Sequence, residues 1–126
     1  MKLRLLIIGL LASALVACGG TSSESDGATG ASGDGRTVEM TLLDEMKFVP
    51  ATIEVEAGQT VTVNLTNKGV LVHDFIVEGL AQEVQAVVQP GKQETVTFTA
   101  PAGEYAYACK QPGHEEAGMK GVIRVK

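Results

Sequence analysis

Cys109, His114 and Met119 stand in one short stretch near the C-terminus, "CKQPGHEEAGM", of a chain with only two cysteines and two histidines. Four residues separate the cysteine from the histidine, and four more separate the histidine from the methionine. The other histidine, His73, lies in the apolar run "VLVHDF". Taken singly, each side chain has an ordinary explanation: thiol and thioether as packing, one histidine as a surface residue, the other as a satisfied core residue. Together they are a thiolate, two imidazoles and a thioether. That set suits a soft, redox-active metal, because thiolate favours Cu(I), imidazole accepts both copper oxidation states and a thioether binds weakly along an axis. A site that matches neither oxidation state fully need rearrange little when one electron moves.

Such donors meet only if strands and turns bring them together. Period-2 alternation places Val38, Met40 and Leu42 on one face of "TVEMTLL", and Ile53 and Val55 on one face of "TIEV". It continues with Val61, Val63 and Leu65 in "VTVNLT", Val96 and Phe98 in "ETVTF", and Ile123 and Val125 in "GVIRVK". "LVHDFIVEG" is more continuously apolar and reads as a central strand covered on both sides. "LAQEVQAVV" fits a helical turn or a strand equally well. In "YAYAC" the alternation puts Tyr105, Tyr107 and Cys109 inward, with Ala106 and Ala108 on the other face. "QPGK" carries Pro and Gly at the central positions of a type II turn. Many short strands with such turns predict an all-β fold, an antiparallel sandwich or barrel.

The ends of the chain bear on location. "MKLRLLIIGLLASALVAC" has a basic start and an apolar stretch too short to span a bilayer, so residues 1–17 read as an export signal. "LVAC" resembles the lipobox of bacterial lipoproteins, with Cys18 as the acylated residue. Residues 18–36, rich in Gly and Ser, then form the lipidated cysteine and a flexible linker, and residues 37–126 one small domain. The expectation is a chain anchored by lipid to the outer face of a bacterial membrane. With Cys18 acylated, Cys109 has no disulfide partner. The net charge of −5 argues against nucleic acid and favours a partner with a basic face.

The domain resembles the cupredoxin family, the single-copper proteins of the plastocyanin, azurin and auracyanin kind. The resemblance rests on "F-x-P-x-x-I-x-V-x-x-G-x-x-V" from Phe48 to Val61, on "GEYAYAC" and on "PGHEEAGMKG". The loop spacing is similar to that of auracyanins and rusticyanin. It implies a cupredoxin-like Greek-key β-sandwich, one type 1 copper ion, and His73, Cys109, His114 and Met119 as its ligands. It also implies a monomer that carries single electrons between redox proteins: a cytochrome, or an oxidase, reductase or photosynthetic complex. The alternative is copper storage or delivery. Catalysis is not expected, since multicopper enzymes of related fold need further histidines and a binuclear centre needs a second cysteine in the loop.

Two departures from the family pattern matter. Asp74 follows the first histidine where many relatives have Asn. An ionised carboxylate there lowers the reduction potential, whereas a protonated one imitates the amide. Ala108 replaces the tyrosine that precedes the cysteine in plastocyanins, so the electron exit is expected at His114, through an apolar patch of Leu71, Val72, Pro112 and Ala117. Glu115 and Glu116 read either as a solvated loop or as an acidic rim that steers a basic partner.

Overall fold

A computed structural model of the protein describes residues 35–126. The leader, Cys18 and the linker up to residue 34 lie outside the described residues, and the first strand begins at Arg36. The strands are β1 Arg36–Leu43, β2 Lys47–Val49, β3 Thr52–Val55, β4 Val61–Asn67 and β5 His73–Val77. They continue with β6 Val84–Val88, β7 Gln93–Phe98, β8 Gly103–Ala108 and β9 Lys120–Val125. One sheet has the order β2-β1-β4-β7 and the other β3-β9-β8-β5-β6. Their inner faces share one apolar core, so the all-β sandwich expected from the alternation is the fold.

The alternation holds strand by strand. Val61, Val63 and Leu65 of β4 are fully buried, while Thr62, Asn64 and Thr66 between them are half-buried. β5 lies between β8 and β6, and its first three residues, His73, Asp74 and Phe75, are all buried. The ambiguous "LAQEVQAVV" resolves into a bend and then β6, whose β-branched valines pair antiparallel with β5. Across "QPGK", the Lys92 N–H donates to the Gln89 carbonyl at 3.0 Å and Gly91 takes φ 70°, as a type II turn requires.

One expectation needs correction. The sandwich is not purely antiparallel: β1 pairs with β4, and β3 with β9, in parallel. Turn residues report only which neighbouring strands form hairpins. These pairs are joined by long connections, the one from β1 to β4 crossing to the other sheet through β3. In β8 the expected inward face holds, with Tyr105 packed against the core beside Tyr107 and Cys109, and only the degree of burial differs. Tyr107 and Cys109 are fully buried, but Tyr105 is only partly so and Ala108 is buried. Tyr105 turns its hydroxyl outward to donate to the Pro101 carbonyl at 3.0 Å. Ala108 sits where β8 is flanked on both sides, by Ile76 of β5 and Lys120 of β9, which leaves little room for solvent to reach a methyl group.

Candidate metal centre

His73 opens β5, and Cys109 follows the last residue of β8. A tight sequence of turns over 112–118 carries His114 and returns the chain to β9 through Met119. Backbone bonds close this loop on itself. The Cys109 N–H donates to the Met119 carbonyl at 3.0 Å, and the Met119 N–H donates to the His114 carbonyl at 3.0 Å. Gly113 and Gly118 hold φ values of 81° and 108°, which side-chain-bearing residues rarely adopt, and so the loop can turn this sharply.

The fold brings three of the four expected residues to one point. His73 Nδ1 lies 3.3 Å from His114 Nδ1, which lies 3.4 Å from Cys109 Sγ, and one donor atom from each residue falls within 4.8 Å of the others. A trigonal centre with bonds of about 2.0–2.3 Å places its donors roughly 3.5 Å apart, so the group fits a single metal ion. His73 and Cys109 are fully buried and His114 half-buried, which leaves one edge of the site near solvent. Met119 is also fully buried, adjoining the loop through its two backbone bonds.

The surroundings fix these groups. The Asp74 N–H donates to Cys109 Sγ at 3.2 Å, a bond that favours the thiolate. Gln111 Nε2 donates to Asp74 Oδ1 at 2.9 Å, joining the ligand loop to β5. Buried Asn67 donates to the carbonyls of Leu71 and Val88 at 2.8 and 2.9 Å and accepts from Gly69 N–H, which shapes the approach to His73. Asp44, in the turn between β1 and β2, accepts from His73 Nε2 at 3.1 Å. The backbone N–H of Val70, and then that of Leu71 and the His73 ring, hold the Asp44 carboxyl below the usual carboxylate range against partial desolvation. Lys110 bridges Glu78 and Glu115, both at 2.7 Å. Glu115 is thus paired within the protein, and Glu116 remains exposed. No buried side-chain nitrogen or oxygen among the described residues lacks a partner.

Sequence reasoning missed Asp44, Gln111 and Asn67. The signal for Asp44 was an acidic residue at a hairpin tip, too common to single out. Gln111 had none. Val70, 80% exposed, joins Leu71 as an apolar surface residue ahead of β5 and was also missed. Leu71, Pro112 and Ala117 are exposed as expected, while Val72 is half-buried.

Burial pushes the Cys109 thiol up, opposed by N–H donors from Asp74 and Gln111 and reinforced by the Asp74 carboxylate. Burial likewise pushes the Tyr107 phenol up. For both groups the folded chain keeps its proton longer than the unfolded one. Their contribution to stability is therefore full below the unfolded values of 9.0 and 10.0, and is lost as pH rises through the folded values. Urea midpoints of the metal-free chain should fall from pH 8 to pH 11, less steeply for Cys109→Ser; a flat profile in both would contradict this.

Comparison with known proteins agrees with the fold. Residues 8–125 match the model of the cupredoxin-like domain. This chain belongs to the cupredoxin family. Among cupredoxin relatives, it is 36% identical over 110 residues to the copper-resistant cuproprotein CopI of Rubrivivax gelatinosus, covering 72% of this chain and 67% of that one. It is 33% identical over 147 residues to auracyanin-A of Chloroflexus aurantiacus, covering 89% and 91%. The crystal structure of dithionite-reduced auracyanin from Roseiflexus castenholzii superposes with a TM-score of 0.65 at 26% identity, covering 77% and 99%. The cofactor of this cupredoxin is one copper ion, and His73, Cys109 and His114 form the cluster suited to it. When bound, copper supplies a one-electron couple. The protein supplies the buried donors, their fixed orientation and the exclusion of water.

Proposed function

We propose that this cupredoxin carries single electrons between redox proteins. His73, Cys109, His114 and Met119 would hold the copper ion, which would supply the one-electron couple. The carrying observation is the convergence of two imidazoles and a thiol, with the Asp74 N–H on Cys109 and the Asp44 carboxylate on His73. Donors held in place suit fast electron exchange and resist the ligand replacement that metal delivery needs. His114, half-buried beside the exposed turn residues Pro112 and Ala117, is the proposed electron exit. Acylated Cys18 would hold the domain at the outer face of a bacterial membrane, where a cytochrome or a membrane redox complex is the partner. No reaction is assigned to the chain by itself.

A second reading, copper handling, draws on the similarity to a protein named for copper resistance. One preparation separates the two. The full chain, in membranes or detergent, is loaded with Cu(II), cycled by a soluble cytochrome, and then challenged in the Cu(I) state with an acceptor chelator. Reversible cycling with retained copper supports the carrier; ready surrender of Cu(I) without cycling supports delivery. Recovery of the chain only in the soluble fraction would overturn the tether.

Asp74 gives a directed test of the site's electrostatics. Its Oδ1 accepts from Gln111, which an asparagine oxygen also does, so Asp74→Asn keeps the link and changes only charge. The reduction potential should rise, measured by spectroelectrochemistry. An unchanged potential over a wide pH range would show that the carboxyl carries no charge beside the copper.

A further inference from the structure

Asp44 has no counterpart among the residues that the sequence pattern marked. The turn that holds it lies at the end of β1, where Lys68 N–H donates to the Leu42 carbonyl at 3.1 Å and brings the end of β4 alongside. From there the carboxylate crosses to the segment leading into β5. Its Oδ2 accepts from the Val70 N–H at 2.8 Å, and its Oδ1 accepts from the Leu71 N–H at 3.2 Å and from His73 Nε2 at 3.1 Å. A β-carbon on Gly69 would overlap the carboxylate, so the residue at 69 must be glycine for the carboxylate to sit there. Gly69 lies outside the left-handed region, and its role is therefore steric rather than conformational.

The contact determines which nitrogen of His73 is available. Imidazole carries one proton when neutral, and a carboxylate accepting at Nε2 places that proton there. Nδ1 then keeps its lone pair, and Nδ1 is the atom that faces His114 and lies in the donor cluster. With His73 fully buried, water does not replace Asp44 at the ring. We infer that Asp44 is a positioning residue of the metal centre: through Nε2 it fixes the metal-binding tautomer of His73, and through Val70 and Leu71 it anchors the strand approach that carries the ring. The inference rests on the copper reading above for its consequence, but not for its geometry. A carboxylate behind a ligating imidazole raises that ligand's basicity. Greater basicity and a nearby negative charge both favour Cu(II) over Cu(I), so Asp44 lowers the reduction potential.

Four full-length chains test this: wild type, Asp44→Ala, Asp44→Asn and Gly69→Ala. The tautomer is read on the metal-free chains by nitrogen-15 NMR of the histidine rings, at a pH where they are neutral. Wild type should carry the His73 proton on Nε2. Asp44→Ala and Gly69→Ala should lose that preference, and Asp44→Asn should keep it because the amide oxygen still accepts. After loading, Asp44→Ala should bind Cu(II) about 10–100-fold more weakly, as is usual when the partner behind a ligand is removed. If Cu(I) affinity is unchanged, each tenfold loss raises the potential by about 59 mV. Asp44→Asn should also raise the potential, since the charge is gone; a residue with a purely structural role would let the asparagine restore it.

A proton on Nδ1 in wild type overturns the inference, and so does an identical tautomer in wild type and both alanine variants. An unchanged potential and Cu(II) affinity across all four chains overturns it as well. Should the Asp44→Ala chain not fold, Asp44→Asn and Gly69→Ala still decide the matter. Because the tautomer is read without metal, a wild-type chain that binds no copper defeats the electron-carrier reading by a separate observation.

Discussion

Cys109→Ser leaves the full chain without the intense visible band that Cu(II) should give the wild type. That band is a charge transfer from thiolate sulfur to copper, and Cys109 is the thiol within the donor cluster. Its sulfur is fully buried, 3.4 Å from His114 Nδ1, and takes an N–H from Asp74. A serine hydroxyl fits the space and the hydrogen bond, but it is a hard donor that stays protonated and does not stabilise Cu(I). The expected result is complete loss of the band, replacement of a narrow copper hyperfine splitting by an ordinary wide one, and a folded metal-free chain. Visible absorption and electron paramagnetic resonance of both proteins check it. Cys18 is present in both chains, so a band that survives in Cys109→Ser would place the copper elsewhere.

The second large effect is on stability. Tyr107→Ala should destabilise the metal-free chain by about 3–5 kcal/mol, the usual range for truncating a buried aromatic. Tyr107 is fully buried, with its ring centroid 5.1 Å from that of Phe48 and 5.0 Å from that of Phe75. Its hydroxyl donates to the Pro50 carbonyl at 3.0 Å, so the ring spans from β8 to the connection between β2 and β3. A small domain has a total stability of about 5–15 kcal/mol, and this loss removes a large part of it. Tyr107→Phe keeps the packing and loses the hydrogen bond, and should cost about 0.5–1.5 kcal/mol. Urea unfolding without copper measures both, because bound metal would add its own stabilisation. An alanine variant within about 1 kcal/mol of wild type would mean the aromatic cluster can collapse around the gap.

The core of this fold was legible because burial on one face of a strand writes itself as alternation. Val61, Val63 and Leu65 were read as inward from spacing, and they are fully buried. The chemistry was legible because so few side chains could supply it: with two histidines and one unacylated cysteine expected in the chain, the donor set was nearly enumerated by composition. The degree of burial of Tyr105 and Ala108 escaped the same reasoning. Alternation says which way a side chain points, not where the sheet ends or how closely the neighbouring strands cover it.

By itself, then, the sequence determined the fold class, the inward residues of most strands, and the identity of the candidate donors. Those properties are local or compositional. The tertiary structure alone decided the two parallel pairings, which depend on chain crossing between sheets. It alone brought Gln111 to Asp74 and the Asp44 carboxylate over Gly69 to His73. Asp44 and His73 are 29 positions apart, with β2, β3 and β4 between them. No period in the sequence links residues so separated. Only the packing of strand ends at one pole of the sandwich sets which nitrogen of a buried histidine keeps its lone pair.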